Sequence, residues 1–311
     1  MIISAYGTIS LMKIATYNLR NLYDPGTFID DKATEPVRES FFNERIAYFT
    51  NVLRELDLDI ICLQEVGGEK GLAMIGGTLG YDYFFAKPNR RGIRMAVLYK
   101  KALAGMITCE SVSLGDLYIP SIQERGDTAG LKPIRQSRDI LEITYTGEGK
   151  AISINTFHLK SNLPQYFEDD DIEGDTNAYI DAKFRCVFYK TMELSAIKRH
   201  TVKRLKEGKE VILLGDYNEN NTASILDILK GDQQDALRME DVLKNYEGDV
   251  TTHYHRGGKL TFDTILISQG LVEKVESVHV ENKDLKDCSM LPLDEEVVGS
   301  DHALVWADFS L

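Results

Sequence analysis

The sequence lacks several features that would each point to a particular class of protein. Its four cysteines (Cys62, Cys109, Cys186 and Cys288) lie far apart, and no two have the spacing of a metal-binding pair. No disulfide framework is therefore predicted, and Cys62, inside an apolar run, is expected to be a buried free thiol. No apolar run approaches the roughly 18 residues that a membrane-spanning helix needs.

The N-terminus has no basic segment ahead of an apolar core, so a signal peptide is not predicted. Its apolar stretch is interrupted by Gly7 and Ser10. We interpret residues 1–11 as an N-terminal extension and residues 12–311 as a single domain, because no composition break or Pro/Ser-rich linker divides the chain. A cytoplasmic protein is expected, with no membrane association and no obligate protein partner.

Basic residues are fewer than acidic ones. The 311 residues include 36 Lys and Arg against 49 Asp and Glu, which gives a net charge of −13. This balance disfavours tight non-specific binding of nucleic acid, which depends on Lys and Arg neutralising phosphates. It suits an enzyme whose bound metal supplies local positive charge. The single tryptophan, Trp306, offers no obvious platform for stacking bases.

Apolar periodicity predicts strands mixed with a few long helices. Apolar residues recur every three or four positions up to Leu56, which predicts a helix from about Ser40, a candidate N-cap. A short helix over Leu72–Leu79 would end at Gly80, and a long helix over Asp181–Glu207. The predicted strands are Lys13–Tyr17, Leu58–Leu63, Tyr81–Ala86, Met95–Tyr99, Ile140–Tyr145, Ala151–Thr156, Val211–Leu214, Leu260–Ile267, Val275–Val280 and Leu304–Phe309. This mixture predicts a layered α/β sandwich.

The stretch Val211–Asn220 (VILLGDYNEN) organises the candidate site. Four aliphatic residues lead directly into Gly-Asp-Tyr-Asn, as expected for a buried strand that emerges at the edge of a sheet. Asp216 and Asn218 are two positions apart, so both side chains point to the same side of an extended backbone. Together they could hold and deprotonate one water molecule. The alternative is a strand followed by an Asx turn.

Other predicted strands also end in or begin with polar residues. These residues are Asn18, Glu65, His158, Asp263 and the pair Asp301-His302. Most have a structural alternative, as a turn residue, a solvated strand edge, a partly buried histidine or a cap. Asp263 is the exception, because a carboxylate inside an apolar strand must find a partner or shift its pKa. Together the residues suit metal-assisted phosphoester hydrolysis, in which oxygen ligands hold Mg²⁺ and a carboxylate positions the attacking water.

Six motifs occur in a recognisable order from Met12 to the C-terminus: TYNLRNLYD, LDIICLQEV, NTFHLKS, LLGDYNEN, TFDTILIS and SDHALV. In these motifs the chain resembles the endonuclease/exonuclease/phosphatase superfamily, which includes deoxyribonuclease I. The resemblance implies a four-layer αββα sandwich with the site at one end of two facing sheets. It also implies Mg²⁺, or alternatively Mn²⁺, as cofactor, with Glu65 as the principal ligand and Asn18 and Asp301 in or near the metal shell.

The resemblance also implies roles in catalysis. Asp216 would orient or deprotonate the nucleophilic water, with Asn218 beside it. His302, held by Asp263, would contact the scissile phosphate. His158 would donate to the phosphate or to the leaving oxygen.

Further residues match basic or polar positions of the family and are expected to bind substrate. Lys160 and Ser161, in HLKS, match bacterial members described as nucleases. Arg91, Arg138 and Arg185 could hold phosphates, with ordinary surface arginines as the alternative. His253 and His255, which precede the Asp263 strand, are candidate pocket-lining residues.

The expected function is phosphodiester hydrolysis, with nucleic acid as the first substrate class. The alternatives are a phosphatase or phosphodiesterase for small or lipid phosphates, and a catalytically silent binding module on the same fold. The segment Glu168–Asp175 holds six acids and no base. We expect it to be a solvated loop near the site that repels polyanions, which puts duplex DNA in doubt.

Overall fold

The structure is a computed structural model that describes residues 11–28, 35–89, 91–117, 134–135, 138–147, 151–166, 176–232, 234–291 and 295–311. The acidic segment Glu168–Asp175 and almost all of the predicted N-terminal extension lie outside these residues. The α-helices in the described part are α1 (Glu39–Leu56), α2 (Glu69–Leu79), α3 (Thr176–Lys206) and α4 (Asp227–Lys230). None of them has both the length and the apolar content needed to cross a membrane.

Sixteen strands are present in the described residues. In chain order they are β1 (Met12–Leu22), β2 (Ile60–Val66), β3 (Tyr81–Phe85), β4 (Arg94–Lys100), β5 (Ile107–Val112), β6 (Asp116–Leu117), β7 (Ile134–Arg135), β8 (Ile140–Tyr145), β9 (Ile152–His158), β10 (Glu210–Asp216), β11 (Met239–Asp241), β12 (His253–His255), β13 (Gly258–Leu260), β14 (Asp263–Ser268), β15 (Val275–Glu281) and β16 (Leu304–Phe309).

Twelve of these strands form two six-stranded sheets. The first has the order β15-β16-β1-β2-β4-β3, and the second has the order β11-β14-β10-β9-β8-β5. Each sheet is built around one parallel pair, β1 with β2 and β9 with β10, and its other neighbours are antiparallel. The carboxyl ends of each parallel pair therefore lie at one edge of its sheet.

The central strands are buried on both faces, which explains their continuous apolar sequences. In β10, Ile212 and Leu214 pack into the core between the two sheets. Val211 and Leu213, which point the other way, pack into a second core on the outer face. The alternation follows from the two-residue period of a strand. One strand thus contributes to two layers of core.

Helices cover both outer faces. Phe42 and Phe49 of α1 and Leu72 of α2 pack on the first sheet. Leu194 of α3 and Leu229 of α4 pack on the second sheet. The molecule is therefore a four-layer αββα sandwich, as predicted.

The structure corrects several predicted boundaries. Helix α1 begins at Glu39, so Ser40 lies inside it; the N-cap residue is Arg38, which has no side-chain capping bond. Helix α3 begins at Thr176 instead of Asp181. The predicted strand Leu260–Ile267 is divided between β13 and β14, because the backbone amides of residues 262 and 263 bond to the hydroxyl of Thr252.

Candidate active site

The carboxyl ends of the two parallel strand pairs carry the polar residues that the sequence pointed to. In the first sheet Asn18 of β1 is opposite Gln64 of β2. In the second sheet Asp216 of β10 is opposite His158 of β9 on one side. On its other side Asp216 is opposite Asp263, the first residue of β14. Because the sheets face each other, these residues meet at one end of the sandwich.

Unusual backbone conformations occur around these strand ends. Gly215 has φ +150, and a Cβ atom there would lie 2.0 Å from the carbonyl oxygen of Phe157, so only glycine fits. Glu65 (φ 59) and Asn218 (φ 48) are both in the left-handed region. Non-glycine residues in that region cost free energy and are typical of functional sites.

The carboxylate of Asp216 lies at the centre of the site. Its Oδ2 atom accepts bonds from Asn18 Nδ2 at 3.0 Å and Asn218 Nδ2 at 3.2 Å. The same oxygen lies 3.4 Å from His158 Nε2 and 3.8 Å from His302 Nε2. Its Oδ1 atom accepts the backbone N–H of Asn218 at 2.7 Å. The Asn18 bond crosses from one sheet to the other, so the site requires both.

His302 and Asp263 form a buried pair. His302 Nδ1 lies 2.8 Å from Asp263 Oδ2, which fixes the orientation of the ring. Burial alone would lower the pKa of His302, but the carboxylates of Asp263 and Asp216 hold that pKa well above its usual value. An imidazolium is therefore favoured, and it is a strong hydrogen-bond donor.

His158 has the opposite electrostatic environment. Burial lowers its pKa well below the usual value, and the charges of Arg138, His302 and Arg91 lower it further. Arg138 also donates to the carbonyl oxygen of His158, at 2.8 Å. Two of the predicted phosphate-binding arginines thus lie close enough for their charge to act at the site. The neutral His158 ring directs Nε2 towards the carboxylate of Asp216.

Glu65 shares the side-chain amide of Asn18 with Asp216. Its Oε1 accepts a bond from Asn18 Nδ2 at 3.2 Å, and its Oε2 accepts the backbone N–H of Asn21 at 2.8 Å. Burial raises the pKa of Glu65, and the charges of Asp301 and Asp216 raise it further. Nearby carboxylates thus make the ionised form of Glu65 costly, and a bound cation would relieve that cost.

The donor set fits a hard divalent cation. Ligand atoms of Glu65, His158 and Asp216 lie within 4.8 Å of one another. Carboxylate and amide oxygens are the protein ligands that Mg²⁺ prefers. Asp301 contributes a further carboxylate, whose Oδ2 is 3.7 Å from Arg20 Nε.

The profile of the endonuclease/exonuclease/phosphatase family matches residues 15–302, which include every position described above. The chain belongs to this family. Its members hydrolyse phosphoester bonds, so the chain is a phosphoester hydrolase. Among curated proteins, no match was found.

Solved structures of family members share the fold at low sequence identity. An AP endonuclease from Archaeoglobus fulgidus superimposes with a TM-score of 0.59 and 17% identity, over 96% of this chain and 100% of that one. A Bacteroides vulgatus endonuclease/exonuclease/phosphatase gives 0.57 and 16%, over 96% and 98%. TDP2 from D. rerio, in complex with a single-strand DNA product, gives 0.56 and 15%, over 96% and 99%.

The other predicted substrate-binding residues vary in their distance from the cluster around Asp216 and His302. His253 is close: its ring centroid lies 4.6 Å from that of His302, and its Nδ1 is bonded to the carbonyl oxygen of Asp301. His255 is exposed, at the end of β12. The ammonium group of Lys160 donates to oxygens of its own loop, those of Ser161 and Leu163. The guanidinium group of Arg185 donates to the carbonyl oxygen of Gln165.

Some residues that support the site were not predicted from the sequence. Arg45 is buried and donates to the carbonyl oxygens of Leu19 and Asn21, just after Asn18. A charged residue on the apolar face of α1, between Phe42 and Phe49, was the available signal. Gln64 was also missed.

Gln64 joins the two sheets directly below the site. Its Nε2 donates to Thr156 Oγ1 of the second sheet at 2.9 Å, and its Oε1 accepts from Thr16 Oγ1 of the first sheet at 3.2 Å. All three side chains are fully buried. Such satisfied polar groups fix the register of the sheets more specifically than apolar packing does.

Proposed function

We propose that this chain is a divalent-cation-dependent phosphodiesterase that acts on nucleic acid. The observation that carries the proposal is the set of contacts around Asp216 Oδ2, where an amide from each sheet and two imidazoles with opposite pKa shifts converge. Groups with divergent pKa values at one point are what acid and base roles require.

In the proposed reaction Asp216 holds a water molecule in line with the phosphorus atom and accepts its proton. Asn218 and Asn18 fix the carboxylate by their bonds to it, so little reorganisation is needed during the reaction. His302, kept charged by Asp263, donates to a non-bridging phosphate oxygen as charge develops there. His158 supplies a further donor to the phosphate or to the leaving oxygen.

Glu65, with Asn18 and Asp301 nearby, would hold Mg²⁺ or Mn²⁺. When bound, such a cation polarises the phosphoryl group and offsets the charge of the leaving oxygen. Arg91 and Arg138, whose charges already act on His158, would hold phosphates next to the scissile one. We assign the same role to Lys160 and Ser161.

Nucleic acid is the proposed substrate class because similar structures include an AP endonuclease and TDP2 with a single-strand DNA product. The net charge of −13 favours a second candidate, hydrolysis of small or lipid phosphates, because a small anion is repelled less by distributed negative charge. A silent binding module is not favoured, since every predicted position keeps a functional side chain. The cytoplasmic location stays a prediction.

A substrate panel tests the proposal. Supercoiled plasmid, single-stranded DNA, RNA, bis-p-nitrophenyl phosphate and phosphomonoesters are incubated with Mg²⁺, Mn²⁺ or EDTA, with Asp216→Asn as the matched control. We expect cation-dependent cleavage of a polynucleotide that EDTA and Asp216→Asn abolish. Turnover of monoesters alone would support the second candidate. Cleavage that is equal in EDTA would contradict cation dependence.

A further inference from the structure

A buried lysine lies behind the proposed site. Lys190, on α3, is only 1% exposed, which is rare for lysine because burying a charge is costly unless it is paired. Its Nζ atom lies 2.5 Å from Asn162 Oδ1, 2.7 Å from the carbonyl oxygen of Asn218 and 3.1 Å from Glu219 Oε2. The three contacts match the three N–H donors of an ammonium group.

One of these contacts leads directly to the carboxylate that the proposed mechanism uses. Asn218 has a left-handed backbone, and both its N–H and its side-chain amide donate to Asp216. Its carbonyl oxygen accepts from Lys190 and also from Asn162 Nδ2 at 3.1 Å. Asn218 is therefore held at its carbonyl oxygen by the charged Lys190, while its N–H and its side-chain amide bond the carboxylate of Asp216.

We propose that Lys190 is a positioning residue for the hydrolytic reaction. It holds Asn218 in its left-handed conformation, and Asn218 in turn aims the carboxylate of Asp216 at the attacking water. This inference rests on the proposed function, because it assumes that Asp216 acts on the water. The alternative is that Lys190 contributes only to stability, as part of an ion pair with the partly exposed Glu219.

The same helix offers a matched control. Lys198, eight residues further along α3, donates to the carbonyl oxygens of Leu229 and Leu237 at 3.1 and 2.9 Å and lies 3.6 Å from Asp235 Oδ2. It thus has two polar contacts and one carboxylate, like Lys190, but those contacts lie around α4 instead of the site. Lys190→Met and Lys198→Met remove equivalent groups from one helix.

The test measures kcat, KM and Tm of both variants on the best substrate of the panel. We expect Lys190→Met to lower kcat by about 10- to 100-fold, the range for groups that orient a reacting side chain, with KM changed less than about threefold. Both variants should lower Tm by similar amounts, because each loses an ammonium group with three polar partners. In Lys198→Met, however, kcat should stay unchanged. Equal kcat in the two variants would overturn the proposal.

A double variant tests whether Lys190 affects kcat through Asn218. In Asn218→Gly, which tolerates the left-handed backbone but lacks the side-chain bond to Asp216, the further loss caused by Lys190→Met should be smaller than in the native chain. Losses that multiply independently would contradict an action through Asn218.

A crystal structure of Lys190→Met separates this inference from the proposed function, because it needs no substrate. We expect Asn218 to leave the left-handed region and to lose at least one bond to Asp216. Retention of both bonds would refute the positioning role even if the native protein cleaved no substrate of the panel. An inactive native protein would count against the proposed function alone.

Discussion

Glu142 provides a quantitative test of what attaches α3, and with it Lys190, to the second sheet. This carboxylate of β8 is fully buried. It accepts from Ser153 Oγ at 2.6 Å and Arg204 Nη2 at 2.6 Å, and lies 3.1 Å from His200 Nε2. Burial alone would raise the pKa of Glu142, but His200, Arg204 and Ser153 hold that pKa at about 2.

The size of the effect follows from this pKa. The ordinary pKa of a glutamate is 4.5. At about 1.4 kcal/mol per pKa unit, the fall to about 2 contributes about 3 kcal/mol to the free energy of unfolding at neutral pH. Because the folded-state pKa is lower than the unfolded one, the contribution is complete above about pH 5 and is lost as the pH falls towards 2. About 1 kcal/mol should remain near pH 2.5.

Glu142→Gln removes the charge and keeps most of the shape. Urea unfolding at pH 7 should show a loss of about 3 kcal/mol, with a Tm lower by about 5 °C for a chain of this length. Near pH 2.5 the two proteins should differ by about 1 kcal/mol or less. Glu207→Gln is the matched control, because the exposed Glu207 pairs with the same arginine, and it should hardly change Tm. A difference that stays constant between pH 7 and pH 2.5 would refute the assignment to the charge of Glu142.

The remaining predictions concern the site. Asp216→Asn or His302→Ala should lower kcat by about 10²- to 10⁴-fold with little change in Tm, measured by steady-state kinetics and calorimetry; a large fall in Tm would instead mark a structural role. Glu65→Gln should weaken Mn²⁺ binding in isothermal titration calorimetry, and unchanged affinity would remove Glu65 from the metal shell. Gly215→Ala should destabilise the fold by several kcal/mol, because its Cβ would meet the Phe157 carbonyl; a soluble variant of native Tm would contradict the close approach.

The sequence was informative wherever one strand or helix carried its own signal. The apolar run ending at Gly-Asp-Tyr-Asn predicted both β10 and the position of Asp216 at its end. That Asp263 needs a partner followed from its place in an apolar segment, and the resemblance to the family implied that this partner is His302. The layered α/β sandwich and the polar residues at the strand ends were therefore predictable from the residues, and the four layers from the resemblance to the family.

Residues that act between elements were not predictable in the same way. In the sequence Lys190 has no feature that distinguishes it from the other polar residues of a long helix. Its partners Asn162 and Asn218 lie 28 residues before and 28 residues after it. Gln64 likewise depends on the facing of two sheets, which no local pattern encodes. Ser40 was wrong as an N-cap because α1 begins one residue earlier, and sequence patterns place the end of a helix only to within one or two residues.

The bond between Asn18 and Asp216 joins residues 198 positions apart, and Ser300 donates to the carbonyl oxygen of Asn18 across 282 positions. During translation, a ribosome-bound chain exposes Asn18 and Glu65 long before β10 emerges, and His302 follows much later. An incomplete chain thus carries Asn18 and Glu65 without Asp216 or His302. The candidate site therefore cannot assemble until nearly all of the sequence has been synthesised.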